Sequence, residues 1–141
     1  MKLESILSVK GNEVHSIEPS ATLAEVVAKL VSCNCGSLVV CQGEQMVGII
    51  TERDIMRACA DRTTALEDRT VEAVMSEDVV TGKLEDEVEK IMGLMTQNRI
   101  RHLPVIENDQ LAGLVSIGDV VKAQHDLLTM ENHYLKSYIQ S

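Results

Sequence analysis

Phenylalanine and tryptophan are absent from this chain, and its only aromatic residues are Tyr134 and Tyr138. A core built without rings must be aliphatic, and seven methionines supply its adaptable filler. A planar base bound here would be gripped by Ile, Val, Leu and Met. The missing aromatic platforms remove the main device of single-strand nucleic-acid binders. Charge excludes the same class: 13 basic residues against 22 acidic ones leave a net charge of −9, which repels a phosphate backbone. No run of 18 apolar residues occurs, so no membrane span is expected. The opening segment, MKLESILSVKG, lacks the long apolar stretch of a signal peptide, and the expected compartment is the cytoplasm. In that reducing setting the four cysteines, Cys33, Cys35, Cys41 and Cys59, are expected to be buried small hydrophobes rather than disulfides. Cys33-x-Cys35 is too tight for a zinc pair, and His15, His102, His125 and His133 form no HxxH or HExxH motif, so no metal site is expected.

What is present is an internal repeat. Gly48 and Gly113 each interrupt an apolar run, Met46–Ile50 and Leu111–Val115, and they stand 65 positions apart. The same step pairs Thr51 with Ser116, Asp54 with Asp119, Leu38 with Leu103 and Val40 with Val105. No gap is needed from Val14 to Arg57, and the chain is read as a duplication.

Each copy shows the same order of elements. An extended piece (Val14–Ile17; Val79–Gly82) leads into a helix whose apolar residues recur at helical spacing: Leu23, Val26, Val27 and Leu30, then Val88, Ile91, Met92 and Met95. Thr22 with Glu25 forms a capping-box pattern at the first helix. Two short strands follow around a polar turn, Ser37–Cys41 with Gln45–Ile50, and Leu103–Ile106 with Leu111–Val115. A second helix starts at Thr51 or Ser116. The segment Ala58–Thr70 is polar and unpatterned and reads as the connector. A lone unit of about 60 residues buries its surface only marginally. The expectation is therefore an α+β fold of two β-α-β-β-α repeats packed sheet to sheet with pseudo-two-fold symmetry. The divisions are 1–62, 63–125 and a C-terminal helix extension over 126–141. In that extension Val120, Ala123, Leu127, Met130, Tyr134 and Tyr138 line a stripe. The stripe fits either packing on its own domain or contact with another chain.

The segments that could carry chemistry are Gly48-Ile-Ile-Thr-Glu-Arg-Asp54 and Gly113-Leu-Val-Ser-Ile-Gly-Asp119. A hydroxyl residue ends the strand, and an aspartate follows three positions later at a helix start. That is a capping-box variant. It is also a ligand site in outline. The glycine lets another group approach the backbone, the helix N-terminus favours phosphate, and a carboxylate accepts hydrogen bonds from a ribose diol. A cap and a ligand contact are compatible.

The whole repeat, with G-h-h-[ST]-x-x-D at 48–54 and again at 113–119, resembles a tandem pair of cystathionine-β-synthase-type (CBS) domains, a Bateman module. Ile100-Arg-His-Leu-Pro-Val105 resembles the segment leading into that family's second hairpin. The resemblance implies an adenine nucleotide (AMP, ADP or ATP), S-adenosylmethionine or NAD in the cleft between the halves, and association into dimers. It places ribose at Asp54 and Asp119, phosphate or ribose at Thr51 and Ser116, and the base near Ser16 and Thr81. Phosphate needs cationic donors, for which Arg53, Arg101 and His102 are the candidates. Arg53 aligns with Gly118, and Arg101 and His102 align with Gly36 and Ser37, so unequal affinities at the two sites are expected.

Three classes compete. A regulatory binding module, acting through a homodimer or a regulated partner protein, is the leading one. An enzyme would need an activated nucleophile, an acid–base pair or a metal, and the sequence offers no P-loop, no GxSxG and no catalytic residue. A structural dimer without a ligand is opposed by the survival of both aspartates and both hydroxyls.

Overall fold

The apolar spacing at Leu23, Val26 and Leu30 does form a helix in the computed structural model, which describes residues 1–140. The expected Ser141 end of the C-terminal extension lies outside the described residues. The elements run α1 Leu3–Lys10, β1 Ser16–Ile17, α2 Leu23–Cys33, β2 Ser37–Gln42, β3 Gln45–Thr51, α3 Glu52–Ala60, α4 Val71–Val74, α5 Val88–Asn98, β4 His102–Glu107, β5 Gln110–Ser116 and α6 Ile117–Gln140. The class is α+β, built as two copies of one repeat. Two compact units result, one of Glu13–Val80 with Glu107–Leu111, the other of Met1–Asn12, Thr81–Ile106 and Ala112 onward.

The first-repeat unit carries a three-stranded sheet in the order β1-β2-β3. β1 runs parallel to β2, with Ser16 opposite Val39, and β2 runs antiparallel to β3, with Ser37 opposite Thr51. Thr22 caps α2 as expected: its hydroxyl accepts from Glu25 N at 3.2 Å, and Glu25 Oε2 accepts from Thr22 N at 3.4 Å. Leu23, Val26, Leu38, Val40 and Ile50 are fully buried between helix and sheet. The connector does more than its polarity suggests. Leu66 packs against this core, Arg69 Nη1 donates to the Ala58 carbonyl at 3.1 Å, and Val71 of α4 is fully buried.

The second-repeat unit repeats the plan with one strand fewer. β4 and β5 pair, turning through Asn108 and Asp109, whose φ values of 51° and 61° suit short polar residues. The strand expected at Val79–Gly82 is reduced to a single parallel bridge between Gly82 and Val105. Pro104 explains the loss. In the first repeat the Val39 amide donates to His15 O at 3.2 Å, and Pro104 stands at the equivalent position without an N–H. The first residues, to which the sequence assigns no element, form α1. Leu3, Ile6 and Leu7 are buried in this unit.

Docking of the leading segments follows one pattern in both units. Leu3 N, Glu4 N and Val88 N donate to Asp86 O, Leu84 O and Met1 O; Val71 N, Glu72 N and Leu23 N donate to Ala21 O, Pro19 O and Arg69 O. Each bond in the first set therefore has a counterpart in the second. α1 is longer than α4, eight residues against four.

The apolar stripe on α6 packs on its own domain only at its start. Val120 is buried and Ala123 and Leu127 are half-buried, but Met130, Tyr134 and Tyr138 are 71%, 72% and 74% exposed. Beyond Leu127 every described residue is exposed.

Candidate functional site

In the first motif, β3 ends at Thr51 and α3 begins at Glu52. The Thr51 hydroxyl accepts from Asp54 N at 3.4 Å, while Asp54 Oδ2 accepts from Thr51 N at 2.9 Å and from the Thr51 hydroxyl at 3.2 Å. The reciprocal cap is thus real. It uses one carboxylate oxygen, and Oδ1 has no donor among the described residues. Opposite Thr51 on β2 lies Ser37, whose side chain faces the same side of the sheet, as directly paired residues do. Ser37 is 2% exposed, and its hydroxyl has no hydrogen-bond partner among the described residues. A buried hydroxyl left unpaired carries a desolvation cost of about 1–3 kcal/mol, which a bound polar group would offset.

The second motif keeps the cap but adds a cation. Asp119 N donates to Ser116 Oγ at 3.1 Å and Ser116 N to Asp119 Oδ2 at 2.9 Å. Lys10, the last residue of α1, donates to the same Oδ2 at 2.6 Å and to Leu114 O at 2.7 Å. Burial would push the Asp119 carboxyl up. The hydrogen bond and charge of Lys10, with the bonds from Ser116, outweigh it and hold the carboxyl below the usual range.

Both motif glycines admit a close neighbour. At Gly48 the group that approaches closely is the chain itself, with Met75 Sδ and Ser76 O 2.8 Å from where a Cβ would stand. At Gly113 it is Leu7, at 2.8 Å.

Of the other candidates, Ser16 lies in β1, and its carbonyl accepts a bond from Lys29 Nζ. His102 opens β4, is half-buried and has a partner of its own. Arg101 is exposed, and its carbonyl accepts Ile117 N at 2.8 Å, as Gly36 O accepts Glu52 N at 3.0 Å in the first repeat. Arg53 and Thr81 are exposed. The structure therefore joins Thr51 with Asp54 and Ser116 with Asp119, while the side chains of Arg53, Thr81 and Arg101 stand in solvent. Sequence reasoning missed Lys10 and Ser37. The repeat alignment begins after Lys10, and serine in a strand carries no signal of its own.

The cysteines are free, as expected, but not buried: three are half-buried and Cys59 is exposed. Burial still pushes the Cys35 and Cys41 thiols up, which makes them poor nucleophiles at neutral pH. Among the described residues no group of three or more His, Cys, Asp or Glu side chains could hold a metal ion, and no helix is long and apolar enough to cross a membrane.

A duplicated α+β unit with a hydroxyl–aspartate cap at the same helix start in each copy defines a tandem-repeat module. The CBS-domain family model matches residues 8–61 and 71–126, so the chain belongs to the CBS-domain family. It is 40% identical over 124 residues to the mitochondrial CBS domain-containing protein CBSX3 of Arabidopsis thaliana, covering 84% of this chain and 60% of that one. Among solved structures, the CBS-domain containing protein ATU1752 of Agrobacterium tumefaciens superposes with a TM-score of 0.84 at 35% identity, covering 88% of this chain and 99% of that one. The CBS domain pair of protein MJ0100, solved in complex with 5′-methylthioadenosine and S-adenosyl-L-methionine, shares the fold at a TM-score of 0.73 and 22% identity. It covers 89% of this chain and 97% of that one.

Proposed function

We propose that this protein is a non-catalytic sensor that binds an adenosine-containing ligand, with AMP, ADP or ATP as the first choices, and signals through a homodimer or a partner protein. The observation that carries the reading is the Thr51–Asp54 pair. The Asp54 carboxylate stands at a helix start with one oxygen that accepts from no described residue, and the residue opposite Thr51 on β2 is Ser37, whose buried hydroxyl has no partner among the described residues. A ribose diol supplies the donors such a carboxylate lacks. The helix N-terminus beside it favours phosphate, with exposed Arg53 one residue before Asp54 as a cation within reach. The adenosine moiety shared by the two ligands of the MJ0100 domain pair supports the same chemical class. The apolar side chains left in solvent on α6, Leu128, Met130, Tyr134, Leu135, Tyr138 and Ile139, support self-association.

Thermal melting with AMP, ADP, ATP, S-adenosylmethionine and NAD tests the reading. A ligand that binds only the folded state at about 100 times its Kd adds about 2.7 kcal/mol, enough to raise Tm by several degrees. At least one compound is expected to do so, and Asp54→Ala is expected to abolish most of that rise. Five flat melting curves would remove the nucleotide from the proposal.

A further inference from the structure

The two copies of the motif share a cap but not an electrostatic state. At Asp54 both cap donors come from Thr51, and one is a hydroxyl that can turn its hydrogen toward a ligand. At Asp119 the second donor is an ammonium at 2.6 Å, anchored by a further bond to Leu114 O at 2.7 Å. The cation arrives because α1 continues through Lys10, whereas α4 ends at Val74 and the chain then turns so that Ser76 pairs with Ile49. Ile49 N donates to Ser76 O at 3.0 Å, and Ser76 N to Ile49 O at 2.9 Å. Among the described residues Asp54 has no ion pair, and its hydrogen bonds are all with Thr51 rather than with α4. The first motif also keeps the buried, unpartnered Ser37 hydroxyl. His102 occupies that place in the second copy and is already engaged.

We infer that Lys10 is an intramolecular latch on the second motif: its ammonium takes the place of a ribose hydroxyl at Asp119, so one nucleoside binds per chain, at Thr51–Asp54. The inference rests on the adenosine-binding reading and adds to it which motif is open and what closes the other. A neutral diol is a weaker partner for a carboxylate than an ammonium. To bind at Asp119 it must displace Lys10 from two acceptors at once. The pair is partly solvated, with side-chain exposures of 36% and 26%, so the latch is one that a single substitution can open.

Titration calorimetry with adenosine and with AMP, on the full chain and on Lys10→Met, tests it. Methionine keeps the length of the stem and removes the charge. Leu3, Ile6 and Leu7 still anchor the helix. The native chain is expected to bind one nucleoside. Lys10→Met is expected to bind two, the second at least about tenfold more tightly than any residual second binding in the native chain, which is the worth of one charge-assisted hydrogen bond. Adding Asp119→Ala to Lys10→Met should return the count to one, and Lys10→Arg, which keeps a cation, should leave it at one. A Lys10→Met protein that melts cooperatively and still binds one nucleoside overturns the latch and leaves the binding reading standing. So does a native chain with two equal sites. Silence from every protein toward both ligands overturns the latch, and together with five flat melting curves it overturns the reading as well.

Discussion

At Gly48 an added methyl would stand 2.8 Å from the Ser76 carbonyl oxygen and 2.8 Å from Met75 Sδ; at Gly113 it would meet the two Leu7 methyls at 2.8 and 2.9 Å. The geometry is alike and the consequence is not. The Ser76 oxygen is backbone, held by the paired bonds to Ile49, and cannot retreat without breaking them. The Leu7 methyls are the end of a side chain and can rotate. Gly48→Ala is therefore expected to cost about 2–3 kcal/mol, the upper range of overpacking, and Gly113→Ala about 1 kcal/mol. Urea unfolding of the two variants ranks them. A loss at Gly113 equal to or above that at Gly48 would show that Leu7 is no freer than the Ser76 backbone. The motif glycines are thus explained by the packing of the leading segments, a role that neighbouring residues in the sequence do not reveal. Thr51 and Asp54 were legible because a cap is a local pattern with a three-residue step. The Lys10–Asp119 contact joins residues 109 positions apart, and no periodicity reports it.

At the scale of elements, the helices with two or more apolar turns and the strand pairs around Gly43 and Asn108 were legible, because spacing and turn chemistry agreed. α1 was not. Leu3, Ile6 and Leu7 follow a helical step, but over one turn, which is shorter than the window in which periodicity separates from chance. Its weight appears only in the folded chain, where Leu3 is 0% exposed and its amide is bonded to Asp86 O at 3.0 Å. Leu3→Ala is accordingly expected to cost about 2–5 kcal/mol, the range for a fully enclosed leucine, despite its place beside the terminus. Chemical denaturation measures it against Leu103→Ala, an equally buried leucine of β4. A cost below about 0.5 kcal/mol, the ordinary value for a surface position, would mean that α1 is not docked in solution. The lost strand at Val79–Gly82 belongs to this scale as well. A repeat that looks even in its apolar pattern became uneven through one missing amide, at Pro104.

At the scale of the molecule, the last stretch of α6 sets the remaining condition. From Leu128 to Gln140 every residue is exposed, among them both tyrosines of the chain. None of these side chains is buried, and most helical stability in proteins comes from packing an apolar face, so the described chain alone gives this end of the 24-residue helix little support. A second chain laid along its apolar side chains would support it, and the proposed homodimer supplies one. Helicity beyond Leu127 should then depend on protein concentration. Hydrogen exchange at low concentration is expected to show fast exchange of the amides from 128 to 140, with protection retained in the buried strands. Raising the concentration should slow exchange in that segment as sedimentation shifts from monomer to dimer. Replacing Tyr134 and Leu135 together by serine should abolish both changes and leave the core melting temperature within a few degrees, since neither side chain is buried. Protection of 128–140 that persists unchanged in a strictly monomeric sample would show that the helix needs no second chain, and the exposed face would then call for a different explanation.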